Sequence, residues 1–266
     1  MIERVVVPID FSPESERAIP TAAALARAAN AAFELITVAE PLNRDEAQLE
    51  LSRIARDSAS GAEVRVIESG GPAEAALLAD LHRTERSLWC VGTHARGAVG
   101  ELVFGSVSEE LVRDSHVPVL LVGPHAGEPQ TGKVLAVAVD GTPESEAIIT
   151  VADELANDVG MTVRLLQVIE PDAATGGSDS FETAHLARLS ARYFSGRDVD
   201  YDVLHGKDVV KALTEYASLQ PEVGMIALAT RGLTGGARLL HGSTAFELAH
   251  DASDPVLVLH PAEPTA

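Results

Sequence analysis

A parallel, doubly wound α/β architecture, built twice in tandem, is what the sequence predicts, and three observations predict it. Apolar runs of strand length alternate with segments of helical spacing. One stretch occurs twice, each time as an apolar run, a glycine-bearing loop, Gly-Ser and a helical pattern. The remaining motifs also recur in the same order on either side of a Gly- and Pro-rich segment. Five strands alternating with four helical patterns per copy give two five-stranded parallel sheets of Rossmann-like type, with helices on both faces.

The first copy opens with Val5-Val6-Val7-Pro8-Ile9-Asp10, a strand that ends in a carboxylate. Ser12 follows as N-cap, Pro13 takes the first helical position, and Glu14 and Glu16 occupy the first turn. That helix is expected to reach about Asn30 on an alanine and leucine face. Phe33 to Val38 is the second strand, ending at Glu40-Pro41, and Asp45 to Ser60 has helical spacing. Glu63 to Glu68 is the third strand, and Ser69-Gly70-Gly71-Pro72 starts a helix to about Thr84. Leu88 to Gly92 is the central strand; a loop leads to Gly105-Ser106 and a fourth helix, and Val117 to Val122 closes the copy.

Residues 125–132 read as a linker between domains at 1–124 and 133–262. Beyond it, Val137-Ala138-Val139-Asp140-Gly141-Thr142-Pro143 repeats the opening, with Asp140 lying 130 residues after Asp10. Val168-Ile169-Glu170-Pro171 repeats Val38-Ala39-Glu40-Pro41 at the same offset. Gly242-Ser243 follows Gly105-Ser106 by 137, so the second copy has gained residues, and the polar loop Asp172 to Ser180 is the expected place. Met225 to Ala229 is the second central strand, and Pro255 to Leu259 is the last.

Composition narrows the function classes. The 266 residues carry a net charge of −20, which argues against a nucleic-acid partner, because phosphate backbones need a basic face. The longest apolar runs are far too short to span a bilayer, and the chain runs into its first strand without a leader, so a cytoplasmic protein is expected. Only Lys133, Lys207 and Lys211 are lysines; a high-salt cytoplasm and GC-rich codon usage both account for that bias. Cys90, the single cysteine, falls in a buried strand and reads as a small core residue.

Open parallel sheets hold ligands beyond the carboxyl ends of their strands, at the switch in strand order. Asp10 and Asp140 end the first strands, Val38 and Val168 lie near the ends of the second, and Gly92 and Ala229 end the central ones. Strand, glycine loop and helix N-terminus in that order form a phosphate cradle of amides and positive helix dipole. Arg231 and Arg238, with Arg96 opposite in the repeat, are candidates for charge-assisted contacts, and His94 lies in the first loop. Each of these taken singly reads more simply as a solvated loop residue; each aspartate is also readable as a cap on the turn that follows it, but their recurrence at the end of an apolar strand in both copies favours a ligand-facing role. No metal spacing, nucleophile elbow, Walker lysine or Gly-x-Gly-x-x-Gly is present.

With those residues in view, the chain resembles the universal stress protein (UspA-like) family in its tandem form, over essentially its whole length. The resemblance implies a sheet of the adenine nucleotide alpha hydrolase type and a crevice for ATP, with or without Mg²⁺. In ATP-binding members the motif is Gly-x2-Gly-x9-Gly-Ser/Thr: glycines and hydroxyl hold phosphate, the first-strand Asp approaches base and ribose, and the second-strand Val packs on adenine. The first copy reads Gly92-x2-Ala95-x9-Gly105-Ser106, and the second Ala229-x2-Gly232-x9-Gly242-Ser243. Each lacks one glycine. Alanine is expected to be easier to accommodate at the strand end, Ala229, than in the loop, Ala95, which favours the second copy.

The resemblance therefore implies a stress-response protein binding an adenine nucleotide in one or both crevices through Asp10, Val38, Gly92, Gly105 and Ser106, or Asp140, Val168, Ala229, Arg231, Gly232, Gly242 and Ser243. It implies signalling or protection, with ATP hydrolysis slow at most. The competing expectation is an interaction module that has lost nucleotide, which the two alanines keep open. The last strands, Val117 to Val122 and Pro255 to Leu259, are expected to join the two copies as an intramolecular pseudo-dimer, with homodimerisation open.

Overall fold

The computed structural model describes residues 1–83, 86–93, 106–115, 117–127, 133–170, 179–194, 196–197, 199–230 and 244–261. Its first half runs β1 (Arg4–Pro8), α1 (Pro13–Glu16), α2 (Ala18–Ala29), β2 (Ala32–Ala39), α3 (Arg44–Ser58), β3 (Glu63–Glu68), α4 (Ala73–Leu81), β4 (Ser87–Gly92), α5 (Ser106–Asp114) and β5 (Val119–Val122). The second runs β6 (Val134–Val139), α6 (Pro143–Val159), β7 (Thr162–Ile169), α7 (Ser180–Tyr193), β8 (Asp200–His205), α8 (Val209–Leu219), β9 (Val223–Ala229), α9 (Thr244–Asp251) and β10 (Val256–Leu259). The extra residues of the second copy fall between β7 and β8, since β7 keeps the offset of 130 while β8 ends 137 after β3.

The strands form one sheet of ten in the order β3-β2-β1-β4-β5-β10-β9-β6-β7-β8. Among the described residues, pairing is parallel within each half, and only β5 and β10 meet antiparallel. The expected pseudo-dimer thus has a definite register. Leu120 pairs with Leu257, its own counterpart in the repeat, while Val119 faces Val258 and Leu121 faces Val256. Equivalent residues facing each other put a local two-fold axis between Leu120 and Leu257, the isologous arrangement of a symmetric dimer. All of these side chains are fully buried.

Alternate strand residues feed two apolar layers, as the pleat requires. Val5, Val7, Leu35, Leu120, Val137 and Leu257 pack under α2, α3, α6 and α7 on one face. Val6, Trp89, Leu121, Ile226 and Val258 pack under α4, α5, α8 and α9 on the other. Cys90 lies in the first of these layers, fully buried, and burial pushes its thiol pKa well above the ordinary range.

The halves differ where their sequences do. Pro20 has no N–H to give the Glu16 carbonyl, so the first helix is interrupted at Arg17. Thr150 stands at that place in the second copy, and α6 runs unbroken for 17 residues. Both helices then stop on a left-handed residue, Asn30 (φ 52°) or Gly160 (φ 73°).

A second difference is electrostatic. Glu34 of β2 is 2 % exposed and receives Arg4 Nη1 at 2.9 Å and Arg65 Nε at 2.7 Å; Arg65 also donates to Asp80 of α4. Its counterpart on β7 is Arg164, which donates to Tyr216 Oη at 3.0 Å and Glu222 at 3.2 Å. A buried anion among arginines has become a cation among acceptors, at the same point of the same layer.

Candidate functional site

The chain order reverses between β1 and β4, and at the carboxyl end of that switch the first half encloses a cavity of about 350 Å³. Ile36, Val38, Leu77, Val91 and Val107 supply apolar wall from β2, α4, β4 and α5. Asp10, Ser15, Thr37 and Ser108 supply polar groups, and Gly92 forms part of the floor. Predominantly apolar walls with a few convergent polar groups are the usual make-up of a small-molecule site, and the volume falls in the usual range.

The turn after β1 is locked locally. Asp10 Oδ1 accepts from the Ser12 N–H (2.9 Å) and the Ser12 hydroxyl (2.5 Å), while Ser12 Oγ caps α1 by accepting from the Ser15 N–H. Ser15 Oγ accepts from the Asp10 N–H (3.3 Å) and donates to the Ser12 carbonyl (2.9 Å). Asp140, Thr142 and Ser145 reproduce every one of these bonds in the second half. The aspartates therefore do cap the turn that follows them, and Asp10 lines the cavity as well.

Gly92 has a steric reason to be glycine. A Cβ there would lie 1.9 Å from the Glu14 carbonyl oxygen and 3.3 Å from Ser15 Cα, so the end of β4 sits directly on the backbone of α1. The strand-end position, expected to be the tolerant one, is the tight one in this half. One residue on, Thr93 is fully buried and its carbonyl accepts from Arg17 Nη1 at 3.0 Å. Arg17 thus ties the kink of the first helix to the start of the glycine loop; Ala147 stands in its place in the second half.

Of the residues picked from sequence, Asp10, Val38 and Gly92 come together on the cavity, and Ser106 is the first residue of α5, which borders it. Asp140 follows β6, Val168 lies in β7 on the same layer as Val38, and Ala229 ends β9. Gly105, Arg231, Gly232, Gly242 and Ser243 lie outside the described residues, as do Ala95, His94, Arg96 and Arg238. Sequence reasoning did not single out Ser15, Thr37 or Ser108 as lining residues. The recurrence of Ser15 as Ser145 was a usable signal; for Thr37, whose counterpart is Gln167, there was none.

These features define a duplicated, doubly wound α/β protein whose first half carries a crevice of ligand-binding size at its switch point. The sequence profile of the Universal stress protein family matches residues 1–123 and again 132–260, and the chain belongs to that family. It is 26% identical over 180 residues to a universal stress protein of Mycolicibacterium smegmatis, a match spanning 64% of this chain and 60% of the relative. Its fold is similar to the crystal structure of a universal stress protein from Archaeoglobus fulgidus DSM 4304, with TM-score 0.75 and 17% identity, covering 97% of this chain and 98% of that one. A protein of unknown function from Pseudomonas aeruginosa PAO1 aligns with TM-score 0.66 and 18% identity, over 98% and 93% of the two chains. Among the described residues, no helix is long and apolar enough to cross a membrane, and no cluster of three metal-ligating side chains occurs.

Proposed function

We propose that this protein binds an adenine nucleotide at the carboxyl edge of the sheet, in one or both repeats, and acts in the cytoplasm in stress signalling or protection without rapid catalysis. The observation that carries the reading is the cavity at the β1/β4 switch. Its apolar walls at Val38 and Val91 suit a planar base, Asp10 offers a carboxylate for base or ribose, and the N-terminus of α5 offers its positive dipole to phosphate. ATP is the ligand the family resemblance suggests. Any Mg²⁺ would come with the phosphates, in keeping with its preference for phosphate oxygens over all-protein cages.

One observation favours the second reading, an interaction module without nucleotide. Asp10 and Asp140 each spend one carboxylate oxygen on a turn, which gives them a structural role with or without a ligand. The readings part on a simple experiment. Protein freed of co-purified nucleotide is titrated calorimetrically with ATP, with and without Mg²⁺. Saturable binding supports the nucleotide reading; a flat titration at both high and low salt leaves the interaction module.

A further inference from the structure

Pairing between β1 and β2 ends at Pro8↔Ile36, whereas between β6 and β7 it runs one residue further, to Val139↔Gln167. Thr37 therefore stands just past the last β1 pair, still matched to Val66 of β3 on its outer side. On its inner side lies the cavity, which it lines. The pleat sets its direction. Ile36 and Val38 belong to the layer under α4 and α5, so Thr37, like Leu35, projects to the side of α2 and α3. α1 leads directly into α2, and its Ser15 lines the cavity too. The cavity thus has an apolar wall, from Ile36, Val38, Leu77 and Val91, and a polar corner, from Asp10, Ser15 and Thr37.

Within that corner the Thr37 hydroxyl is uncommitted. Asp10 and Ser15 are engaged in the turn after β1. Thr37 is 3 % exposed, yet its hydroxyl makes no hydrogen bond among the described residues. Nor is its oxygen one of the sealed, unpartnered side-chain atoms, of which Gln167 Oε1 is an example, so the cavity is where it meets a partner. A hydroxyl drawn out of bulk water without a protein partner carries a cost that a ligand atom can remove. Valine would fill the same place and suits a strand as well, so packing does not call for threonine.

We infer that the Thr37 hydroxyl hydrogen-bonds the nucleoside end of the ligand in the first crevice, which makes Thr37 a specificity-determining residue there. The inference rests on the nucleotide reading above and deepens it. The apolar wall takes the face of a planar base, and a hydroxyl that both donates and accepts meets a polar atom of the base or its sugar. An occupant that is apolar throughout leaves the hydroxyl unsatisfied and is disfavoured. Phosphate, drawn to the N-terminus of α5, is not its partner.

The test uses the full chain, freed of co-purified nucleotide, with ATP and adenosine as calorimetric probes. Thr37→Val removes the hydroxyl at nearly constant shape, and Thr37→Ser keeps it. Without ligand, Thr37→Val is expected to melt at or above the wild-type temperature, because an unpartnered group has been removed. Its affinity for ATP is expected to fall roughly fivefold or more, in one class of sites if both repeats bind, and its affinity for adenosine by the same factor. Thr37→Ser is expected to keep most of the wild-type affinity. A lower melting temperature of unliganded Thr37→Val would make the hydroxyl a structural group and overturn the inference. A loss for ATP with none for adenosine would put the hydroxyl on phosphate and overturn it too. Unchanged ATP affinity in Thr37→Val would overturn it while leaving the nucleotide reading intact. No ATP binding by wild-type protein would overturn both.

Discussion

Gly92→Ala is the substitution whose outcome the geometry fixes most closely. The new Cβ would lie 1.9 Å from the Glu14 carbonyl oxygen, where ordinary contact begins at 3.4 Å, so strand and helix must separate by about 1.5 Å. The obstacle is backbone on both sides, so no side chain can rotate away. Overpacking of this kind costs about 1–3 kcal/mol, and backbone collisions belong at the upper end. The lower entropy of alanine in the unfolded chain returns roughly 0.4–1 kcal/mol. A net loss of about 2 kcal/mol is expected in urea unfolding, together with weaker ligand binding, because Gly92 lines the cavity. The comparison that gives the number meaning is Ala229→Gly in the second repeat. There alanine is already accommodated, and the change should cost only about 0.5–1 kcal/mol through backbone entropy. If Gly92→Ala destabilises less than Ala229→Gly, the close approach of β4 to α1 is not what places glycine there.

Glu34→Gln should cost about 3 kcal/mol in the same assay, since it strips the buried anion from Arg4 and Arg65. Arg164→Met should cost about 1 kcal/mol or less, because its acidic partners Glu222 and Asp200 are exposed. Leu257→Asp places a charge in the two-fold contact with Leu120, and a loss of at least about 4 kcal/mol or separation into two melting transitions is expected; an unchanged single melt would argue against a shared sheet. Tyr216, raised to about 12 chiefly by burial and next by Asp202, should ionise about two pH units above an ordinary tyrosine in an ultraviolet titration, and Tyr216→Phe should abolish that late step. Its folded pKa exceeds the unfolded one, so its stabilising effect is complete below about 10 and is lost as pH climbs toward 12. Burial also raises the Asp254 carboxyl. The penalty for its ionised form is fully present above the folded pKa and absent below the unfolded one, so Asp254→Asn should stabilise near neutrality, with the gain vanishing in acid.

The architecture was legible because its signals are local and occur twice. Ser12-Pro13 and Thr142-Pro143 announce helix starts, the Val-rich runs announce buried parallel strands, and duplication confirms each against the other. The split of the first helix was legible in principle too, from Pro20. The site was harder, because its decisive facts are distances between segments remote in sequence. Nothing in the spelling of Gly92 shows that Glu14 lies on top of it, and this is why the strand-end alanine looked the milder of the two departures. Likewise Thr37 reads as an ordinary strand residue until the end of β1 is seen beside it.

The measurement that bears most directly on the central claim is ATP titration of wild type, Asp10→Ala and Asp140→Ala side by side. Binding that falls with Asp10→Ala, at a melting temperature still well above the assay temperature, is the predicted result, because the cavity at the β1/β4 switch carries that carboxylate. Saturable ATP binding by the wild type that neither substitution alters would contradict it, placing the nucleotide somewhere other than the sheet's carboxyl edge.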